Sequence, residues 1–410
     1  MWWRKLRLRR VLRHTVLAVA AVQGTTLLAL AVVDNRRKQV RKPVVFPRVP
    51  PRSVTAGTSE VTLYTYGEDL YRDMLGAIRQ AKQRIFFETF IWKSDEVGQA
   101  FKDALIEADA RGVKVFVVYD VFANLVVPRR FFDFPPGIAV RRHPIMRGMP
   151  GIRNSGRDHR KLMVVDDSVA FLGGYNIGSL YATDWRDTHA RLTGDIVWDA
   201  ENAFIDFWNL FTGYGRSAAL PDVGGRSWQS DIRIHRNIPR NVVYPIRSVY
   251  LDAFERASHH IYLTHAYLIP DADVLDGLIR AARRGVDVRI IVPAASNHIV
   301  ADWLSRGFYS QLLRAGVRLF LYQGAMVHAK TATIDGQWST IGTANLDRLS
   351  LAGNYEINME VVNADVAQQM EEIFALDSSN TVELTLPAWS RRHAMVKFSE
   401  TVLTPFRPLL

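Results

Sequence analysis

The chain has no cysteine among its 410 residues. Disulfides, thiolate metal sites and thiol-linked lipid anchors are therefore excluded, while the redox compartment stays open. It also lacks a basic body. Of its 52 Lys and Arg residues, 13 fall in the first 52 positions, where Asp34 is the one acid; the rest of the chain sets 39 basic against 40 acidic side chains. The formal net charge of +11 is thus a property of the N-terminus. A nucleic-acid groove needs its cations around the site, so the distribution argues against nucleic acid as a partner. A basic run beside an apolar segment suits anionic lipid headgroups instead.

What the chain does have is a repeat. His159, Lys161 and Asp166 recur with the same spacing as His328, Lys330 and Asp335. Gly173 to Asn176 recurs as Gly342 to Asn345, and a carboxylate stands 28 positions after each His, Asp187 in one copy and Glu356 in the other. Residues two apart on an extended strand point to one face. Each His and Lys pair therefore projects together, backed by the apolar runs 162–165 and 331–334. Asp166-Asp167 and Asp335-Gly336 read as tight turns between two strands. Two such hairpins facing each other offer two imidazoles, enough for a nucleophile and a general acid.

The paired His-x-Lys-x4-Asp with its trailing Gly-x-x-Asn resembles the phospholipase D superfamily. The stretches 345–356 (NLDRLSLAGNYE), 87–92 (FETFIW) and 266–271 (AYLIPD) are similar to bacterial cardiolipin synthases. The resemblance spans roughly residues 58–375 and implies an α/β fold: two duplicated domains, 58–222 and 223–378, packed about a pseudo-twofold axis. The β-α alternation along the chain leads to the same class. Helices are expected near 68–83, 98–111, 249–258 and 272–284, and strands near 84–92, 113–119, 260–265 and 286–292. Arg111-Gly112-Val113 and Arg284-Gly285-Val286 sit at equivalent helix-to-strand turns.

Residues 1–33 contain a 19-residue uncharged run, 15–33, which at about 1.5 Å per residue is close to the thickness of a bilayer core. It reads as a membrane anchor, with a cleaved signal peptide as the alternative because Ala29-Leu30-Ala31 resembles a cleavage site. Residues 34–57 read as a linker and 213–230 as the join between domains. Residues 123–157, rich in Arg, Phe, Pro and Gly, suit a wall meeting a phosphate headgroup and acyl chains, or a plain surface loop. The tail 379–410 contains an amphipathic stretch suited to the membrane interface, with packing on the protein's own surface as the other reading.

The chemistry implied by the resemblance is phosphodiester transfer through a phosphohistidine. The resemblance implies His159 as nucleophile and His328 as general acid/base. Lys161, Lys330, Asn176 and Asn345 meet the charge on phosphorus oxygens. Asp187 and Glu356 fit the role of orienting the rings; Asp166 and Asp335, at the turns, are grouped with the catalytic residues and by analogy with the family fix the hairpin and the Lys. Gly174 stands where the family often has Ser, whereas Thr343 keeps a hydroxyl. His189, in a Trp-x-Asp-x-His pattern with Trp185 and Asp187, is a weaker candidate. No cofactor and no metal is expected. The expected activity is cardiolipin formation from two phosphatidylglycerol molecules with release of glycerol, at a bacterial inner membrane. The alternatives are phosphatidylethanolamine as donor, a phospholipase D-type hydrolase or nuclease, and a catalytically inactive scaffold.

Overall fold

The computed structural model describes residue 25 and residues 45–146, 152–210, 218–221 and 231–392. Apart from Thr25, the apolar run 15–33 lies outside the described residues. So do residues 393–410 and, except for 218–221, the expected join 213–230. Among the described residues no helix is long and apolar enough to cross a membrane.

The first half builds one eight-stranded sheet from β1 (Arg52–Ala56), β2 (Ser59–Tyr64), β3 (Arg84–Thr89), β4 (Lys114–Asp120), β5 (Ala139–His143), β6 (Leu162–Val165), β7 (Val169–Gly173) and, after the two-residue β8 (Trp185–Arg186), β9 (His189–Gly194). The second half uses β10 (Ile232–Asn237), β11 (His260–His265), β12 (Leu268–Ile269), β13 (Asp287–Pro293), β14 (Arg318–Tyr322), β15 (Met326–Val327), β16 (Lys330–Ile334), β17 (Trp338–Gly342), β18 (Leu346–Asp347), β19 (Glu356–Val362) and β20 (Thr381–Leu384). The first sheet runs β1-β2-β9-β7-β6-β3-β4-β5 and the second β10-β19-β17-β16-β11-β13-β14-β20. Seven strands correspond in order, from β2 with β10 through to β5 with β14. The duplication read from the motifs is thus a duplication of topology.

Local chemistry sets the elements. The central strands β3 and β4 are nearly continuous apolar runs, as strands covered on both faces require, and β3 is buried at every position but its first. Asp95 caps helix Glu96–Ala110 through the Gly98 amide, and Asp271 caps helix Ala272–Arg283 through the Asp273 and Val274 amides. Gly112 (φ 89°) and Gly285 (φ 94°) follow the ends of these helices in the left-handed region. The preceding arginines repeat a tie, Arg111 to the Ile78 carbonyl at 3.0 Å and Arg284 to the Phe254 carbonyl at 2.8 Å.

Two boundaries differ from the sequence reading. Residues 52–56, expected in the linker, form β1, because their backbone groups pair with β2 from Arg52↔Leu63 to Ala56↔Ser59. Phe46, also from that stretch, is buried and sits edge-on to Tyr66. Residues 381–384, expected in the tail, form β20 and extend the second sheet beside β14. Trp389 does not face outward; it is buried against Tyr309 and donates its indole N–H to Ser310 at 2.9 Å.

The halves share a core. Phe86, Leu162, Val164, Leu172, Leu192 and Phe204 of the first pack in one cluster with Ile341, Ile357, Met359, Val361 and Met370 of the second. Phe204 stacks on Phe86 with centroids 4.6 Å apart. Each such side chain stabilises the assembly by about 1.5–3 kcal/mol relative to exposure, so the halves are fixed by packing rather than by the chain between them.

Candidate active site

The two motifs meet at the line where the halves exchange short strands. Asp158 bridges Tyr355, and β15 pairs in parallel with β8, Met326 opposite Trp185 and Val327 opposite Arg186. The His159 amide donates to the Tyr355 carbonyl at 3.0 Å, and the His328 amide to the Arg186 carbonyl at 2.7 Å. The backbone before each His is thereby tied to the backbone before the carboxylate of the other half.

The side chains follow the same exchange. His159 Nδ1 lies 2.9 Å from Glu356 Oε2, and His328 Nδ1 lies 2.6 Å from Asp187 Oδ2. Each carboxylate serves the ring of the opposite half. An ionised carboxylate at Nδ1 fixes the tautomer with hydrogen on that nitrogen and leaves the Nε2 lone pair free. Thr343 Oγ1 donates to Glu356 Oε2 at 2.5 Å, whereas Asp187 Oδ1 accepts from the Thr188 amide at 2.8 Å. The missing hydroxyl at Gly174 has a steric cause: a Cβ there would stand 2.0 Å from Asp187 Oδ1.

Lys161 Nζ donates to the His159 carbonyl at 2.7 Å, and Lys330 Nζ to the His328 carbonyl, so each ammonium is held beside its own imidazole. Lys330 Nζ also lies 2.8 Å from His328 Nδ1, alongside the bond that nitrogen makes to Asp187. The rings rest on aromatic shelves. Phe90 is edge-on to His159 at 4.7 Å, and Trp185 lies 4.8 Å from His328. Asn176 Oδ1 accepts from the Ile91 amide at 3.1 Å, while Asn345 Oδ1 is buried without a partner among the described residues.

Burial sets the charge state. It pushes His159 well below the usual imidazole range, helped by the Lys161 and Lys330 ammoniums, and it lowers His328 to about 3, with Lys330 adding to the effect. Both rings are neutral at neutral pH. Burial lowers Lys161 to about 7 and Lys330 to about 8, although Glu356 and Asp187 oppose it. Burial raises Glu356 to about 8 against the pull of Lys161. Burial also acts to raise Asp187, but Lys330 and His328 outweigh it and hold the carboxyl below its usual range. The two pairs are therefore unlike: Asp187 is an ionised partner for His328, and Glu356 is a weaker one for His159.

Asp166 and Asp335 do not stand at this site. Four intervening strand residues carry them to the far ends of the hairpins. There Asp166 accepts from the Lys82, Gln83 and Arg84 amides at 2.7–2.9 Å, and Asp335 from the Ser258, His259 and His260 amides at 2.7–2.8 Å. Both adopt positive φ, 51° and 53°. They fix the hairpin turns to the entry of the central strands β3 and β11, as expected, but their grouping with the catalytic residues and with the lysines is corrected, since they bond these amides at the far ends of the hairpins.

Several groups were not anticipated. Arg160, between the motif His and Lys, is buried 2.9 Å from Glu88. Asp158 lies beside Glu88, and burial raises both carboxyls, Asp158 further through the Glu88 charge. Arg186 makes a buried bidentate pair with Asp377, at 3.0 and 2.6 Å, and reaches Thr188 Oγ1 at 2.9 Å, bracketing Asp187. For Glu88 the available signal was a charge inside an apolar run, the sequence of β3; Asp158, Arg160 and Arg186 stand among other charges and gave none. His189 is buried, and neither ring nitrogen has a partner among the described residues. Arg186→Ala is expected to lower stability by about 3–5 kcal/mol by leaving Asp377 buried and unpaired. Denaturant unfolding of the purified protein measures it, and a loss below about 1 kcal/mol would assign the pair no structural weight.

The comparisons agree with this arrangement. The family model described as cardiolipin synthase, PLD-like domain, matches the chain twice, over residues 74–193 and 250–377. A cardiolipin synthase of Listeria welshimeri is 28% identical over 390 residues, covering 92% of this chain and 81% of that protein. The major cardiolipin synthase ClsA of Bacillus subtilis is 29% identical over 374 residues, covering 86% and 76%. The crystal structure of phosphatidylserine synthase from Haemophilus influenzae superposes with a TM-score of 0.67 at 16% identity, covering 92% of this chain and 97% of that one, a likeness of fold. With both copies of the motif inside the matched segments, the chain belongs to the cardiolipin synthase family of phospholipase D-like proteins.

Proposed function

We propose that this chain transfers a phosphatidyl group from one phosphatidylglycerol to the glycerol headgroup of a second, making cardiolipin and releasing glycerol at a bacterial membrane. The observation that carries the reading is the reciprocal pair of His–carboxylate contacts, one from each copy of the motif across to the other. His159 Nε2 attacks phosphorus and forms a P–N bond as the P–O bond to glycerol breaks. With the phosphodiester bound, His328 is protonated and gives its Nε2 proton to the departing glycerol oxygen. The neutral His328 then takes the proton of the acceptor hydroxyl, whose oxygen attacks phosphorus and releases His159. At each turnover the proton returns to His328, and the phosphatidyl group passes through His159 to the acceptor lipid.

The bound phosphodiester supplies the negative charge that favours protonated His328, whose partner Asp187 is already ionised. Lys161 and Lys330 meet the charge growing on the non-bridging oxygens, and Asn176 and Asn345 add neutral donors. Vesicles of phosphatidylglycerol are expected to yield cardiolipin and free glycerol in equal amounts, with little phosphatidic acid. Bond making and bond breaking both involve primary glycerol hydroxyls, so added glycerol drives the reaction backwards. Dominant phosphatidic acid with no glycerol effect would make the enzyme a hydrolase. Phosphatidylethanolamine as donor would instead release ethanolamine.

The lysines give a pH dependence. Each must be protonated to meet the phosphate, and burial has brought them to about 7 and about 8 in the empty site. The free enzyme therefore loses competence as pH rises through that range. His328, neutral in the free enzyme, gains its proton on binding, so kcat/KM falls as pH rises, and the lysines steepen that fall between about pH 7 and 8, since this parameter reports free-enzyme groups. A profile flat to about pH 10, where ordinary lysines titrate, would contradict it.

A further inference from the structure

The turn after β4 and the segment after β5 leave a group of large apolar side chains uncovered at the mouth of the site. Val126 is 82% exposed, Leu125 60% and Phe122 52%, and Met146 and Ile145 are also exposed. These residues are not remote from the chemistry. Asn124, buried between them, donates to the Phe90 carbonyl at 2.8 Å and accepts from the Trp92 amide at 2.8 Å, bracing the ring that touches His159. The Arg157 guanidinium, two residues before His159, lies 5.1 Å from the Phe122 ring centroid and donates to the Ile145 carbonyl, joining the two segments. Its amide donates to Asn354 Oδ1 at 3.0 Å, and the carbonyl of the exposed Leu349 accepts from the Gly353 and Asn354 amides. Arg129, Arg130 and Arg142 are exposed around this group, with Asp133 the exposed acid among them.

The apolar tips do not close a core. Val127, Phe131 and Phe132, from the same stretch, are buried, the two rings around Trp92 and Tyr119, while Phe122, Leu125 and Val126 turn outward. A contiguous uncovered apolar patch marks a docking surface. Apolar tips with exposed arginines in the same two segments suit one occupant, the interface of an anionic bilayer: the tips enter the acyl boundary and the guanidiniums meet lipid phosphates.

We propose that residues 122–126 and 145–146 dip into the membrane as a two-loop wedge that seats the site mouth on anionic lipid. The proposal rests on the phosphatidyltransfer reading for its lipid surface. The wedge admits a headgroup to the imidazoles while the acyl chains stay in the bilayer. It acts at the site itself and is separate from any attachment through the N-terminus.

The absence of cysteine permits a clean test. Val126→Cys carries an environment-sensitive fluorophore on the full chain reconstituted in phosphatidylglycerol vesicles, and Val382→Cys, 57% exposed on the edge strand β20, serves as the control. Bromines on the acyl chains are expected to quench the label at 126 about 2-fold or more, as shallow insertion requires, and to leave the label at 382 unchanged. The same quenching is expected in the His159→Ala background, which separates docking from chemistry. Equal quenching at both positions would overturn the wedge. Protection from aqueous iodide without quenching by brominated chains would place protein on the patch and also overturn the lipid assignment.

Discussion

Replacing His159 by Ala is expected to lower cardiolipin formation by about 10⁴-fold or more, the scale seen when a covalent catalyst loses its nucleophile or the base that serves it. The loss should fall on kcat, with the vesicle-bound fraction of enzyme unchanged. The physical reason is the neutral Nε2 that the structure prepares. Burial and two nearby ammoniums keep the ring unprotonated, and Glu356 holds its Nδ1 side. No other described imidazole has this arrangement except His328, which is tied to the other end of the reaction by its own carboxylate. Cardiolipin output from phosphatidylglycerol vesicles measures the effect. A His159→Ala enzyme within about 10-fold of the parent rate would remove His159 as nucleophile, since general acid–base help alone contributes 10²–10⁴.

The second large effect concerns the crossed carboxylates. Asp187→Asn is expected to lower turnover by about 10²–10³-fold, less than the roughly 10⁴ known for loss of the correct tautomer in a catalytic triad. Glu356→Gln is expected to act in the same direction by a smaller factor, because its carboxyl is the less ionised of the two. The informative quantity is which pairs couple. Groups in contact show strong non-additivity, and separate groups add. Double-mutant cycles on kcat should find coupling for 187 with 328 and for 356 with 159. They should find near-additivity for 187 with 159 and for 356 with 328. Coupling within each half instead of across them would contradict the crossed geometry.

The sequence made the duplication and most of the site legible, for a specific reason. The motif residues lie on strands, where a period of two puts His and Lys on one face, and a repeated pattern doubles the signal. The spacing of 28 residues picked out Asp187 and Glu356 but did not say which ring each would hold. That choice depends on pairing between halves 141 and 197 residues apart in the chain, and local periodicity carries no information on it. Asp166 and Asp335 were grouped with the imidazoles because they are close in sequence. An extended strand carries them away, and only the amides of the preceding loops reveal their work. The edge strands β1 and β20 were missed because short strands among polar and Pro-rich residues show no alternation. Glu88, a charge within an apolar run, was the one readable signal; Asp158, Arg160 and Arg186 stand among other charges, and such stretches are ordinarily solvated. Here the charges are buried and answered from a distance, Arg186 by Asp377 and Arg160 by Glu88.

The division of labour between the two imidazoles is tested most directly by a donor that needs no proton on its leaving group. Phosphatidyl-p-nitrophenol releases a stable phenolate, so formation of the phosphohistidine from it requires His159 and not His328. With the His328→Ala enzyme, a burst of p-nitrophenol equal to the enzyme concentration is predicted, followed by slow turnover, with the phosphatidyl group recovered on His159. With the His159→Ala enzyme, no burst is predicted. A burst that survives in His159→Ala and vanishes in His328→Ala would reverse the roles, and a burst in neither variant would contradict transfer through a single phosphohistidine.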